Sequence, residues 1–396
     1  MAWETKRIKD IFDLDPSIPK NSFKMNTTIS FVPMECLRTG FIEKRETVYS
    51  DLKSYTPFIE NDLLVAKVTP CFENRNVAIA KNLINGIGCG SSEIFVFRHK
   101  NNIYLQYGFY LALSDVFRNI GCPSMKGVGG LKRIDSTDLI SAEIKIPPKT
   151  TQQKIADYLD VKTQNIDKRI ELLQKKKEHY TTLRKAIINE AVNGEGKNWE
   201  THRIKELFKV IGSGATPDSN TESYYDENGY FWLQTGDLND GIITSTSKKI
   251  TDSALKRYST LKTYQRGSLV VAMYGATIGK IGLLDIDTTT NQACCVMSEP
   301  KNINTKFLFY WFLSNKNFII SLSTGGGQPN IGQDTIKFLI VSHPDINKQN
   351  TIVNYLDKKT SAIDSIIEKI KTEIDTLKTY RRALINEAVT GKLNIE

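Results

Sequence analysis

Arg184-Lys185-Ala186-Ile187-Ile188-Asn189-Glu190-Ala191-Val192-Asn193-Gly194 returns 197 residues later as Arg381-Arg382-Ala383-Leu384-Ile385-Asn386-Glu387-Ala388-Val389-Thr390-Gly391. Tyr158-Leu159-Asp160 and Tyr355-Leu356-Asp357 repeat at the same offset, so no net insertion separates these anchors. A helix explains that constancy, since one extra residue would rotate everything beyond it by about 100°. Working outward, Trp3-Glu4-Thr5-Lys6-Arg7-Ile8-Lys9 recurs as Trp199-Glu200-Thr201-His202-Arg203-Ile204-Lys205 at an offset of 196. Between the anchors the match loosens. Phe31-Val32 overlays Trp232-Leu233, Leu63 to Ala66 overlays Leu269 to Ala272, and Phe109-Tyr110 overlays Phe309-Tyr310, at offsets of 201, 206 and 200. The chain is written twice, with loops that changed length while the order of elements stayed fixed.

Little stops a helix between Pro147-Pro148 and Gly194, or between Pro344 and Gly391. Asp160 to Thr163 and Asp357 to Thr360 predict a break or bend in each, because Asp and Thr serve as caps. Beyond it, Ile166, Ile170, Leu173, Tyr180 and Ile187 in the first copy and Ile363, Ile367, Ile370, Ile374, Leu377 and Leu384 in the second step by threes and fours, the seam of a coiled coil. Lys177, Arg184 and Arg381 interrupt the seam, as stems that snorkel or as keys that fix register. An isoleucine line this long needs a covering helix, and the nearest is its own twin, with another protein as the alternative. The reading is an α+β chain with an internal pseudo-two-fold repeat. Globular domains at 1–147 and 198–345 alternate with helical spacers at 148–197 and 346–396 that pair as an antiparallel coiled coil. A spacer of about 30 residues would be about 45 Å long, enough to hold two heads apart on one B-DNA duplex.

At 396 residues the chain exceeds one hydrophobic core, and 40% hydrophobic residues supply the cores of at least two. A net charge of +9 favours a polyanionic partner, because Lys and Arg near phosphates release condensed counterions. Six cysteines without a CxxC pair suggest neither a disulfide framework nor a zinc ribbon. With no cationic-hydrophobic leader before Trp3 and apolar runs of strand length only, a cytoplasmic protein without membrane spans is expected.

Short strand-like runs (Asp62 to Lys67, Ser92 to Phe97, Ser268 to Met273, Gln292 to Met297) accompany helix candidates at Tyr104 to Phe117 and Asn304 to Asn315. Ile144 to Pro147 and Phe338 to Val341 read as closing strands. Polar loops between these elements supply the candidate DNA contacts. Gln328 and Asn330 offer amides that can bond adenine bidentately, on a glycine-rich backbone with little bulk. Lys126, Lys132 and Arg133 suit phosphates or guanine edges. Gln234, Lys248 and Lys249 join them with weaker claims, as do Arg38 and Asn239, while Tyr224 and Tyr225 could stack on a base or belong to the core.

Gly275 to Ile281 has three residues between its glycines where a phosphate loop needs four, and Ile281 stands where that loop has a hydroxyl, so it reads as strand, turn, strand. Gly212 to Pro217 reads as a turn. His99, His179, His202 and His343 have no metal-ligand spacing, and Asp285 and Asp287 have no catalytic lysine pattern beside them. No catalytic, cofactor-binding or metal-binding residue is assigned. A self-contained methyltransferase or nuclease with an unrecognised site, or a noncatalytic protein scaffold, are the alternatives to a DNA-reading subunit.

The duplicated helix ends at 183–194 and 381–391, with Gly214-Ala215-Thr216-Pro217, Trp232-Leu233-Gln234-Thr235-Gly236-Asp237-Leu238 and Gly275-Ala276-Thr277-Ile278-Gly279-Lys280, resemble the specificity subunit of type I restriction-modification systems. The resemblance covers almost the whole chain. It implies two target recognition domains joined by antiparallel helices, an asymmetric bipartite site on double-stranded DNA, and docking of two modification subunits, with restriction (translocase) subunits where present. S-adenosylmethionine, ATP and magnesium would then belong to those partners, and this chain would carry no cofactor of its own. The first domain departs from the pattern: Phe31 to Leu37 replaces the Trp232 to Leu238 string and no Gly-Ala-Thr-Pro precedes it, so contact residues do not transfer to it.

Overall fold

The structure, a computed structural model, describes residues 3–18, 26–48, 55–128, 130–194, 198–325 and 329–395. It divides into two compact units, Met1–Gln174 with Lys371–Glu396, and Lys175–Ile370. Each therefore holds one globular domain and part of each long helix.

In the first unit, the strands Phe12–Leu14, Ile94–His99, Leu63–Ala66 and Val77–Ile79 lie side by side in that order, all antiparallel. The second unit repeats the order with Phe208–Gly212, Cys294–Pro300, Leu269–Ala272 and Ile281–Leu284, and adds Gly241–Ile243 parallel to the last. Leu63–Ala66 and Leu269–Ala272 are buried at every position, which is why they read as continuous apolar runs and not as alternating ones. A second sheet follows in each. Thr28–Val32 lies between Arg45–Val48 and Ile87–Gly90, and Tyr225–Leu233 lies between Lys248–Ile250 and Thr289–Thr290. In both, the central strand runs antiparallel to the first neighbour and parallel to the second. Copy one thus keeps the pairing of copy two without its glycine motifs. A short antiparallel ladder closes each domain, Glu4–Arg7 on Glu143–Ile146 and Glu200–Arg203 on Ile340–His343.

The helix expected over Tyr104 to Phe117 is two helices, Leu105–Leu113 and Asp115–Gly121. Ser114 turns extended between them, donates to the Leu111 carbonyl (2.7 Å) and accepts from Phe117 N (3.4 Å), capping the second. Copy two breaks likewise at Asn315, between Thr305–Ser314 and Lys316–Ser321.

The long helices span Lys149–Val192 and Ile346–Val389, 44 residues each, about 66 Å at 1.5 Å per residue. Neither breaks at Asp160 to Thr163 or Asp357 to Thr360 as the cap residues predict. Those side chains face the globular domain instead. Tyr110 OH donates to Asp160 Oδ1 (2.6 Å) beside Thr163 Oγ1 (3.1 Å), and Tyr310 OH donates to Asp357 Oδ1 (2.7 Å) beside Thr360 Oγ1 (3.2 Å). Both threonines donate to the carbonyl four residues back, at 2.7 Å, which leaves the helix intact.

One turn into each helix sits a fully enclosed glutamine. Gln152 accepts from Tyr104 N (2.7 Å) and donates to the carbonyls of Pro147 (2.9 Å) and Asn102 (3.2 Å). Gln349 accepts from Asn304 N (2.8 Å) and donates to the carbonyls of Pro344 (2.8 Å) and Asn302 (3.3 Å). These amides tie the root of each helix to the loop before the domain helix.

Within each unit the helix halves run antiparallel. Asp167 pairs with Arg381 (2.9 Å) and Arg169 with Glu373 in the first, and Arg184 with Asp364 (2.8 Å) in the second. Arg184 and Arg381 are repeat twins, and so are Asp167 and Asp364, so one ion pair is made twice. The seam residues Ile166, Ile363, Ile370, Ile374 and Leu384 are buried, and Ile170, Leu173, Tyr180, Ile187, Ile367 and Leu377 half-buried, while Leu172 and Leu183 between them stay exposed. The fold is the expected one: α+β heads alternating with two long helices in an antiparallel coiled coil. Each helix ends on a tryptophan. A Cβ at Gly194 would stand 2.4 Å from the Trp199 ring, and one at Gly391, where φ is +72°, 2.6 Å from the Trp3 ring.

Candidate nucleic-acid interface

In the first unit, Lys126, Lys132 and Arg133 share one hairpin, formed by Met125–Lys126 and Arg133–Ile134. Lys126 Nζ donates to Asp135 Oδ2 (2.6 Å), while Asp135 Oδ1 caps the Ser136–Ser141 helix by accepting from Thr137 N (2.9 Å) and Asp138 N (3.4 Å). The Lys126 ammonium and these amides hold the Asp135 carboxyl below the usual carboxylate range. Arg133 is loosely paired with Glu93 (3.7 Å), whereas Lys132 has no ion pair among the described residues.

In the second unit, Lys248 and Lys249 lie on the strand beside Tyr225–Leu233, and neither is ion-paired among the described residues. Lys248 Nζ sits 5.7 Å from the Tyr225 ring centre and Lys249 Nζ 4.9 Å from that of Phe231. With Tyr225, Asp226, Glu227 and Ser247 they line an open cavity of about 540 Å³. The strand pairing thus sets two carboxylates, which accept from exocyclic amines, beside two ammonium groups, which donate to carbonyl or phosphate oxygens. Gln234 joins this end of the sheet through Asp237, whose carboxylate accepts from Gln234 N (2.9 Å) and Ser247 N (3.0 Å). Asn330 stands elsewhere, its backbone bridging Thr324 and Tyr274. Gln328 lies outside the described residues.

Tyr224 and Tyr225 pack in a small cluster with Trp232 and Ile250, and Tyr225 OH donates to the Pro217 carbonyl (2.7 Å). Arg38 pairs with Glu43 (3.6 Å). The glycine-rich strings are architecture. Trp232 Nε1 donates to the Ala215 carbonyl (3.1 Å), a Cβ at Gly214 would fall 1.7 Å from the Thr290 carbonyl oxygen, and Gly275–Thr277 is the turn between two strands. Asp285 pairs with Arg266 (2.7 Å), and Asp287 accepts from Arg266 N (2.8 Å). All six cysteines are free; burial pushes Cys89 up to about 11 and Cys295 up to about 12. Among the described residues no group of His, Cys, Asp and Glu is placed to hold a metal ion, and no helix is long and apolar enough to cross a membrane.

One contact escaped the sequence reading. His202 Nδ1 lies 3.0 Å from His343 Nε2 in the closing ladder, with the rings stacked. Copy one makes the same ladder between residues 4–7 and 143–146, so the repeat offset relates the two pairings once either is seen.

The family described as the type I restriction modification DNA specificity domain matches residues 2–179 and again 196–376. The chain belongs to this family. Its relatives include the EcoEI specificity subunit of Escherichia coli, 34% identical over 162 residues, which are 39% of this chain and 26% of that one. The MjaVIII specificity subunit of Methanocaldococcus jannaschii is 25% identical over 390 residues, 88% of each chain. The match spans about a quarter of the length of the first relative and most of the second. The fold is shared with a chain from a structure of complex assembly and conformational transition of the type I R-M system, at a TM-score of 0.81, 15% identity and 99% and 98% coverage of the two chains. It is shared with HsdS from Thermoanaerobacter tengcongensis at 0.60, 16% identity and 99% and 97% coverage. Family membership thus rests on both copies of the repeat.

Proposed function

We propose that this chain is the noncatalytic, sequence-reading subunit of a type I restriction-modification assembly. Each globular domain reads one half of a split target on duplex DNA, and the paired helices fix the gap between the halves. Methyl transfer from S-adenosylmethionine belongs to modification subunits docked on it, and ATP- and magnesium-dependent cleavage to restriction subunits where these are present. The observation that carries the reading is the twin ion pair, Arg184 with Asp364 and Arg381 with Asp167, which fixes two equivalent helix pairings beneath two divergent heads.

Footprinting of the full chain with its modification partner tests it. Two protected tracts at a fixed gap are expected, and lengthening both helices by equal numbers of turns should change the gap. One continuous tract, or tight stoichiometric binding of S-adenosylmethionine by the chain alone, contradicts the reading. Lys248→Ala with Lys249→Ala should weaken binding and lower the salt slope by about one for each phosphate that is no longer neutralised.

A further inference from the structure

Val128 and Leu131, 92% and 77% exposed, are the two most exposed large apolar side chains among the described residues. Both belong to the connection between the two strands of the Lys126–Arg133 hairpin. The flank of this turn that carries Leu131 is pinned. Thr69 Oγ1 donates to the Gly130 carbonyl (2.7 Å) and accepts from Lys132 N (2.9 Å), while Thr69 N donates to the Lys132 carbonyl (3.0 Å). Gly127, at φ +139°, brings the turn back so tightly that a Cβ there would lie 2.5 Å from the Leu131 carbonyl oxygen. The backbone is thus fixed at Gly127, next to Val128, and at Gly130 to Lys132, around Leu131, while both apolar side chains stay in water. Beside them is Lys132, free of ion pairs among the described residues, with Lys126 and Arg133 at the base.

We propose that Val128 and Leu131 form a wedge that enters the base stack of the half-site read by the first domain. The inference rests on the DNA-reading function above and adds its physical means. An aliphatic tip between cations suits a duplex: the side chains pry adjacent base pairs apart while the ammonium groups hold the flanking phosphates. The corresponding loop of the second domain, between Thr324 and Asn330, has the sequence Gly-Gly-Gly-Gln-Pro and no aliphatic residue, so the distortion is one-sided.

The test uses the full chain assembled with its modification subunits on the target found by methylome mapping, with 2-aminopurine placed in turn at each position of both half-sites except the methylated adenines and their neighbours, which the modification subunits themselves unstack. A several-fold fluorescence rise confined to one half-site, and its return to background in the saturated complex of V128S/L131S, is expected. Two protected tracts with no rise anywhere, or a rise that persists in the double variant, overturns the wedge and leaves DNA reading intact. Failure to bind duplex at all overturns the reading and the wedge together. Loss of subunit assembly in V128S/L131S, on a duplex that wild type leaves stacked, overturns the wedge in favour of a protein contact.

Discussion

Replacing Gln349 by leucine keeps the side-chain volume nearly constant, so the change is one of hydrogen bonding and not of packing. Gln349 is wholly enclosed; its Oε1 accepts from Asn304 N, and its Nε2 is within reach of the carbonyls of Pro344 and Asn302 and of His343 Nδ1 (3.2 Å). Nε2 has two hydrogens, so three of these bonds form at once; at about 1 kcal/mol each, with about 1 kcal/mol more for the Asn304 amide left without its acceptor, the loss is about 4 kcal/mol in all. For a unit of 196 residues at about 2–4 °C per kcal/mol, the melting point should fall by about 8–16 °C. Hydrogen exchange of the 344–356 segment against temperature reads this directly, with 147–159, which keeps its own Gln152, as the reference in the same molecule. A shift below about 2 °C, or equal shifts in both segments, would refute the claim that this amide anchors the helix root.

Asp167→Arg should weaken helix pairing in the first unit by about 0.5–1 kcal/mol, and adding Arg381→Asp should restore most of it in a double-mutant cycle by chemical unfolding. Gly391→Ala, which meets the Trp3 ring at a positive φ, should cost about 1–3 kcal/mol in the same assay, and Trp3→Ala should relieve the steric share of that cost. The Asp135 carboxyl is held low by Lys126, so its contribution to the hairpin is present above the ordinary carboxylate range and is lost as pH falls through its depressed value. Exchange protection at 125–134 should therefore survive to about pH 4 and fall below it, and in Lys126→Ala the loss should move to higher pH.

Much of the architecture was legible because helices forbid net insertions. The constant offset of 197 located both long helices, and the three-four spacing of Ile166 to Ile187 and Ile363 to Leu384 runs along residues that are buried or half-buried. The cap rule failed at Asp160 and Asp357 because a tyrosine 50 or 47 residues earlier claims each carboxylate, a long-range partner that no local window contains. The same limit hid the enclosed Gln152 and Gln349, which look like ordinary surface residues in a polar helix. Of the candidate contacts, Lys126, Lys132 and Arg133 lie together on one hairpin, and Gln234 with Lys248 and Lys249 at one sheet end, whereas Asn330 joins neither group. Charge and amide content marked these loops, but what pins the hairpin is Thr69, more than 60 residues away.

Trp3 lies over Gly391 as Trp199 lies over Gly194, yet four residues of chain connect the second pair and none the first. The same glycine-tryptophan contact is made once across a short connection and once between residues 388 positions apart. A gene rearranged so that translation began near 199, with a short linker from 391 to 3, would encode the same interactions in permuted order. Which head is synthesised first then has no bearing on which of these contacts form.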